Sequence, residues 1–324
     1  ETIGPGGFFF AMRTLPVIKG ILKDIEQFAS NAVLVNYTNP TQIVAEAVAH
    51  FSDIPCISIC DQTKDDQHKI MHAMGIQPES VFLESIGLNH ATWSTHFTID
   101  GEDGVEVMLH HYDKVMARDD ISNRVKRQFR LTKEYGRLPN SYFQYYYYRE
   151  ETVQEAKASV KSRAQVIMDD LSSYYQHFQE QIEADTPHLS HVRGGSVFGD
   201  MAVEVMRGLV TQNGSIHTLN IPNRGALPDF APDRIVEVPA RLEITGASPL
   251  AQENLPSDIV GLLHMLAEYQ WVSADAIWNG DIRDIIRALA TNPLVLSIPL
   301  AEELLSKIIP LQANYLPDRL DTKI

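Results

Sequence analysis

Residues 32–60 read AVLVNYTNPTQIVAEAVAHFSDIPCISIC, and the pattern inside them decides the fold class. Ala32-Val33-Leu34-Val35 is a short apolar run closed by Asn36-Tyr37-Thr38-Asn39-Pro40, which has the length and punctuation of a buried strand ending in a turn. From Thr41 to His50 the apolar residues recur at helical spacing, with Thr38 or Asn39 available as a cap. Pro55 to Cys60 is a second apolar strand, Thr63 to Met74 a helix, and Ser80 to Ile86 a third strand. This alternation predicts an α/β fold built on a parallel sheet with helices on its faces. Such sheets bind ligands at the carboxyl ends of their strands, here Asn36–Pro40, Cys60-Asp61 and Gly87–His90.

Outward from this core the pattern is looser. Residues 8–30 have helical spacing interrupted at Pro16 and Gly20. Residues 151–184 read as one long polar helix with Val160, Ala164, Ile167, Leu171 and Tyr175 on one face. Gly194–Gly214 resembles a loop leading into a helix, Ile235–Leu242 a strand, and residues 250–305 are largely helical. A chain of 324 residues exceeds what one core holds, so one large or two merged domains are expected. The formal charge of −15 argues against nucleic acid or an anionic membrane as partner. Cys56 and Cys60, four residues apart, cannot staple a fold of this size and favour a reducing cytoplasm over secretion. Glu1-Thr2-Ile3-Gly4-Pro5-Gly6-Gly7 reads as the inside of a loop, which predicts that the chain is the later part of a longer protein.

Three constellations carry possible chemistry. A thiolate at Cys60 and an imidazole at His90, brought together from strand ends, could hold a divalent metal with positions left open for substrate oxygens. Composition alone favours the plainer reading, a strand cysteine and a loop histidine. Asn39 before Pro40 could bond a sugar or lactate-type hydroxyl, or could be an ordinary strand-to-helix turn. Pro139–Arg149 (PNSYFQYYYYR) supplies tyrosines that could form an aromatic wall and a phenolic base, though packing at a domain edge explains most of them. Gly4-Pro5-Gly6-Gly7 could aim backbone N–H groups at a phosphate or sugar. His110, His111, His188 and His191 lack metal partners at a ligand-like spacing and read as surface residues.

Taken in order, ETIGPGGFFFAMR (1–13), Asn36–Pro40 with Val44–Ala47, Cys60-Asp61, Gly87–His90, Pro139–Tyr148, Arg193-Gly194-Gly195, NRGALPDFAPDRIVEVP (223–239) and ALATNPLV (288–295) resemble glycoside hydrolase family 4. This collinearity is more specific than any single motif and reverses the plainer reading of Cys60 and His90. The resemblance implies the C-terminal part of a Rossmann-type NAD domain, residues 1–88, followed by an α+β domain like that of lactate and malate dehydrogenases, residues 89–324. It also implies that the nucleotide-binding glycine loop precedes the residues present.

The chemistry implied is a hidden redox cycle, an exception to two-carboxylate glycoside hydrolysis. NAD takes hydride from C3 of a glucoside, a divalent metal such as Mn²⁺ polarises the ketone, a tyrosinate removes the C2 proton, the aglycone leaves, water adds, and the hydride returns. By position, Cys60 and His90 match the metal ligands, and Asn39, Arg13 and Asn89 the substrate contacts. Asp61 matches the proton donor of the branch acting on 6-phospho-α-glucosides. Tyr142 is the expected base, with Tyr145 next. The chain departs from that branch at Gln62-Thr63 and at Asp169-Asp170-Leu171, where a phosphate-binding Arg is expected; Arg13, Arg149 or Arg163 could replace it. A small (phospho)glycoside partner and a homodimer or homotetramer are further expectations. The competing readings are a 2-hydroxy-acid dehydrogenase of the lactate or malate type and a non-catalytic homologue.

Overall fold

The computed structural model describes residues 2–188 and 195–320. In chain order the elements are α1 (Pro5–Phe28), β1 (Leu34–Asn36), α2 (Thr41–Phe51), β2 (Cys56–Ser58), α3 (Gln62–Met74), β3 (Val81–Leu88), β4 (Ala91–Ile99) and β5 (Glu102–Asp103). There follow α4 (Gly104–His110), α5 (Tyr112–Met116), α6 (Asn123–Tyr135), a 3-10 turn (Ser141–Phe143), α7 (Gln144–Tyr147), α8 (Arg149–Ala158), α9 (Arg163–Ile182) and α10 (Gly195–Thr211). The chain continues through β6 (Ile216–Pro222), β7 (Ile235–Glu243), β8 (Gly246–Pro249), α11 (Ser257–Asn279), α12 (Ile282–Thr291) and α13 (Ile298–Gln312).

The strands form one eight-stranded sheet in the order β1-β2-β6-β7-β3-β4-β5, with β8 beside β7. The mixed α/β class is the one expected, and β1 and β2 pair in parallel. The third strand departs from expectation. β3 is separated from β2 by β6 and β7 and pairs antiparallel with both β7 and β4. The two-residue Asn89-His90 connection to β4 is a hairpin turn, and a hairpin can only be antiparallel. Strand–helix alternation shows that a strand follows a helix; it does not show which neighbours a later strand will insert between.

Two helical expectations also change. α1 runs unbroken through Pro16 and Gly20, because Phe8, Met12, Leu15, Ile18 and Leu22 continue one buried face across the proline. That packing outweighs the single backbone hydrogen bond a proline removes. The long helix expected over 151–184 is two helices, with Ser162 accepting from the Gln165 N–H to cap the second. Arg193, Gly194 and His191 lie outside the described residues, as does Glu1. No helix among the described residues is long and apolar enough to cross a membrane.

The largest core layer joins α1, α2, α11, α12 and α13 through residues such as Phe8, Val44, Ile277, Leu289 and Leu305. A second packs α11 against β3, β4 and β7 around Trp93 and Phe143, and a third packs α10 on β2, β6 and β7. The helix α2 is joined to β7 by a two-point clamp on one residue. Glu46 accepts from the Ile235 N–H at 2.8 Å, and Gln42 donates to the Ile235 carbonyl. Burial pushes the Glu46 carboxyl from 4.5 up to about 8, against the opposing pull of the Ile235 N–H and the Arg234 charge.

A carboxyl whose pKa is higher folded than unfolded favours the folded state at low pH. Its contribution is complete below about 4.5 and is lost as pH climbs through about 8. Urea midpoints of the parent are therefore expected to fall between about pH 4.5 and 8 and to level off above that. Glu46→Gln keeps the acceptor for Ile235 and should flatten that fall; an equal fall in both proteins would assign it elsewhere.

Candidate active site

The turn between β3 and β4 delivers His90, and the residues after β2 deliver Cys60. Their side chains meet, with Cys60 Sγ 3.4 Å from His90 Nε2. His90, the second residue of the two-residue turn, adopts a left-handed backbone (φ 62°), which a non-glycine residue adopts at some cost. Its other nitrogen, Nδ1, is 3.1 Å from Thr2 Oγ1, which leaves Nε2 for Cys60. Burial, reinforced by the Arg124 charge, lowers the imidazole to about 3 and keeps it neutral. Burial first, and then the carboxylate of Glu237, push the Cys60 thiol up to about 12, against the opposing pull of the Gln62 backbone N–H and the Asn89 amide.

The glycine-rich start serves this pair differently from a phosphate loop. Gly4 caps α1 and Gly7 lies in its first turn, where a Cβ would collide with the Thr2 carbonyl. The close approach at Gly7 is what lets Thr2 turn back toward His90. Asn292, from the ALATNPLV segment, holds the same stretch by donating to the Ile3 carbonyl at 3.0 Å.

Tyr142 lies on His90 in a parallel stack, ring centroids 4.0 Å apart and planes 7° from coplanar. The Arg124 guanidinium covers Tyr142 at 4.5 Å from the ring centroid. Arg124 Nε also donates to Ser141 Oγ at 2.7 Å. Asp66 anchors this loop from α3: it accepts from the Ser141 N–H at 2.8 Å, Ser141 Oγ at 2.6 Å, Gln62 at 2.7 Å and Gln128 at 3.2 Å. Gln62, which departs from the family pattern, thus has a place in the network that orients Tyr142. Tyr145 stands 5.7 Å from Tyr142, while Tyr146 and Tyr147 pack into the core against Phe143.

Asp61 is the N-cap residue of α3 but makes no capping bond with its side chain; burial holds its carboxyl above the usual range. Asn39 Oδ1 faces the Thr41 N–H and hydroxyl at 3.4 and 3.2 Å across the cis Asn39–Pro40 bond. Asn89 points inward: its backbone N–H donates to Gln42 at 3.2 Å and its amide to Glu237 Oε2 at 2.9 Å. Arg13 sits on α1 with Nε buried and unpartnered and its guanidinium 5.4 Å from the Phe10 ring centroid. Arg149 donates to the Leu294 carbonyl at 3.4 Å, and Arg163 opens the exposed helix α9. The structure therefore brings together Cys60, His90, Tyr142 and Asn89, with the Cys60-Asp61 junction beside them.

Sequence reading missed Glu237, Asp66, Arg124 and Thr2. Glu237 is buried at the centre of the sheet, its carboxyl pushed up to about 7 by burial while Asn89 and Asn220 pull it down. Its position in IVEVP, a charge inside an apolar strand, was the available signal.

Among the described residues no three His, Cys, Asp or Glu converge as a metal-binding group. The Cys60–His90 pair nevertheless fits two positions of one divalent ion. A separation of 3.4 Å suits donors each about 2.0–2.3 Å from a common centre, and a neutral imidazole can give its lone pair.

Comparison with known proteins agrees with the resemblance. The "Family 4 glycosyl hydrolase" family matches residues 1–76, and the "Family 4 glycosyl hydrolase C-terminal domain" matches residues 85–295. A relative described as "Probable 6-phospho-beta-glucosidase" from Bacillus subtilis (strain 168) is 29% identical over 325 residues, covering 98% of this chain and 73% of the relative. A crystal structure of a 6-phospho-alpha-glucosidase from gut microorganisms, in complex with NAD and Mn²⁺, superposes with a TM-score of 0.83 at 23% identity, covering 98% of this chain and 75% of that one. Malate dehydrogenase from Plasmodium falciparum shares the fold more distantly, with a TM-score of 0.50 at 12% identity, covering 86% and 74%.

Two substitutions test how the site is held. Gly87 has φ +141°, and a Cβ there would lie 2.4 Å from the Ala91 carbonyl oxygen. Gly87→Ala should cost about 3 kcal/mol in urea denaturation. Asp66→Ala leaves the buried Ser141 N–H without its acceptor and takes one hydrogen bond each from the Ser141 hydroxyl, Gln62 and Gln128, and should cost a similar amount, about 3 kcal/mol. Losses under about 1 kcal/mol would mean that these regions relax freely.

Proposed function

The chain belongs to glycosyl hydrolase family 4, and from this premise we propose that it hydrolyses 6-phosphorylated glucosides by transient oxidation at C3 and elimination across C1–C2. The observation that carries the reading is the Cys60–His90 pair with Tyr142 stacked on the imidazole. A thiol, a neutral imidazole and a phenol gathered in one buried place suit Lewis-acid-assisted proton abstraction beside a carbonyl.

In this reading Cys60 and His90 hold a divalent cation, Mn²⁺ as in the similar 6-phospho-alpha-glucosidase structure, which polarises the sugar ketone when bound. A bound nicotinamide cofactor would accept the C3 hydride at the start of the cycle and return it at the end. Tyr142 takes the C2 proton, its ring held between His90 and Arg124. Asp61, whose carboxyl burial keeps protonated to higher pH than usual, gives its proton to the departing aglycone oxygen. Asn39 offers its Nδ2 to a sugar hydroxyl, since its Oδ1 is turned to Thr41. Asn89, whose amide donates to Glu237, offers its Oδ1 to substrate. Arg13 supplies a cation to substrate oxygens, supported by its unpartnered Nε.

The domain division at residues 88 and 89 is part of the proposal, and it falls in the turn that carries Asn89 and His90. A homo-oligomer belongs to it as well. Helix α9 has no buried residue and exposes Val166, Leu171, Tyr175 and Ile182, which a second copy would cover.

The test uses the full-length protein with NAD, Mn²⁺ and a reductant on nitrophenyl α- and β-glucosides with and without a 6-phosphate. Hydrolysis of the 6-phosphate form with solvent deuterium incorporated at C2 is expected. Tyr142→Phe should lower kcat by about 10²–10⁴-fold. Full activity with chelator or in Cys60→Ser, or net NADH from lactate or malate, would replace this reading.

A further inference from the structure

The His90 imidazole is touched on its face and on both edges, and only the edge contacts tell its nitrogens from its carbons. Tyr142 lies flat on the ring, 4.0 Å between centroids and 7° from coplanar, which fixes the ring plane. A half-turn about the Cβ–Cγ bond would keep that plane while exchanging Nδ1 with Cδ2 and Nε2 with Cε1. The stack therefore leaves the direction of the nitrogens open. Cys60 Sγ meets Nε2 at 3.4 Å on one edge, and Thr2 Oγ1 meets Nδ1 at 3.1 Å on the other. A threonine hydroxyl donates or accepts, so this contact is compatible with either neutral tautomer. The tautomers differ in chemistry, because a ring nitrogen that carries hydrogen has no lone pair for a cation.

We propose that Thr2 is a positioning residue for His90: its hydroxyl oxygen accepts the Nδ1–H and so holds the imidazole in the tautomer and orientation that turn the Nε2 lone pair toward the cation shared with Cys60. The inference rests on the metal role proposed above for His90. In the opposite tautomer Nε2 carries the hydrogen, and an ion would bind only after that hydrogen had moved to Nδ1. A histidine ligand whose second nitrogen is bonded holds its metal more tightly, with losses of about 10–100-fold when the outer partner is removed. Thr2 lies ahead of α1, and its neighbours tie it to the β3–β4 turn. Ile3 beside it is buried, and its carbonyl accepts from Asn292 Nδ2 at 3.0 Å. Asn292 is fully buried and is itself held by the Leu294 N–H, which donates to its Oδ1 at 2.8 Å. Gly7 leaves the room that the Thr2 carbonyl occupies. The segment 288–295 thereby bears on the imidazole from the far end of the chain. Serine would keep the hydroxyl, whereas valine keeps the branched shape and loses it, which separates this role from packing.

Two measurements on the full-length protein test this. Long-range proton–nitrogen NMR of metal-free protein carrying isotope-labelled histidine reads the tautomer directly, His90 being the signal lost in His90→Asn. The parent and Thr2→Ser should show Nδ1–H, and Thr2→Val should move a measurable share to Nε2–H. Titration with Mn²⁺ alone, following free ion by electron paramagnetic resonance, should show the Kd raised about tenfold in Thr2→Val and parent-like in Thr2→Ser. Circular dichroism checks folding, and Thr2→Ala replaces Thr2→Val if the latter does not fold. A parent that shows Nε2–H, or a Thr2→Val with the parent's tautomer or affinity, would overturn the proposal. A Thr2→Ser that binds as weakly as Thr2→Val would do so too, since packing alone would then explain the loss. His90→Asn separates the two levels. Unchanged Mn²⁺ binding there removes the metal reading and this inference with it, whereas lost binding beside a parent-like Thr2→Val removes only the inference.

Discussion

The carboxylate of Glu237 is the constraint on which the rest of the arrangement turns. A charge at the centre of a sheet is tolerable only where donors converge on it, and here Asn220 reaches it from one neighbouring strand and Asn89 from the hairpin on the other side. Meeting that requirement sets the register of β6, β7 and β3 at one level and fixes the turn that presents His90. The same requirement excludes a side chain at Gly87.

Around this centre, segments far apart in the chain are joined by polar side chains that grip backbone. Gln42 and Glu46 hold Ile235, Asn292 holds Ile3 and so the turn that brings Thr2 to His90, and Asp66 holds Ser141 beneath Tyr142. Asn223 closes its own loop through the Leu227 N–H and the carbonyls of Leu227 and Phe230. Several family-like motifs that bear no reactive group, NRGALPDFAP and ALATNPLV among them, thus have a structural task. Their amides fix backbone to within the tolerance that a buried site requires.

Much of the first hundred residues was legible. Strands and helices from Leu34 to Met74 follow the apolar spacing closely, because each buries a single face and obeys a single period. Cys60 and His90 were legible as a pair only through the collinear resemblance, since nothing local distinguishes Cys60 from Cys56. The break between α8 and α9 was missed because the apolar stripe across 151–184 looks continuous; Ser162 capped a new helix and no core drew the two into line. Pro16 misled in the opposite direction, because the core against which α1 packs is remote in sequence.

The sequence by itself determined the α/β class, the β1–α2–β2 unit and the candidates Cys60, Asp61, His90 and Tyr142, because period, punctuation and motif order are local properties. Only the tertiary structure decided that β6 and β7 insert between β2 and β3, that His90 arrives on an antiparallel turn, and that Glu237, Asp66, Arg124 and Thr2 support the site. The physical reason is that hydrogen bonds between residues as distant as Asn89 and Glu237 depend on which strands become neighbours. That choice is made by the packing of the whole sheet, and no stretch of sequence carries it alone.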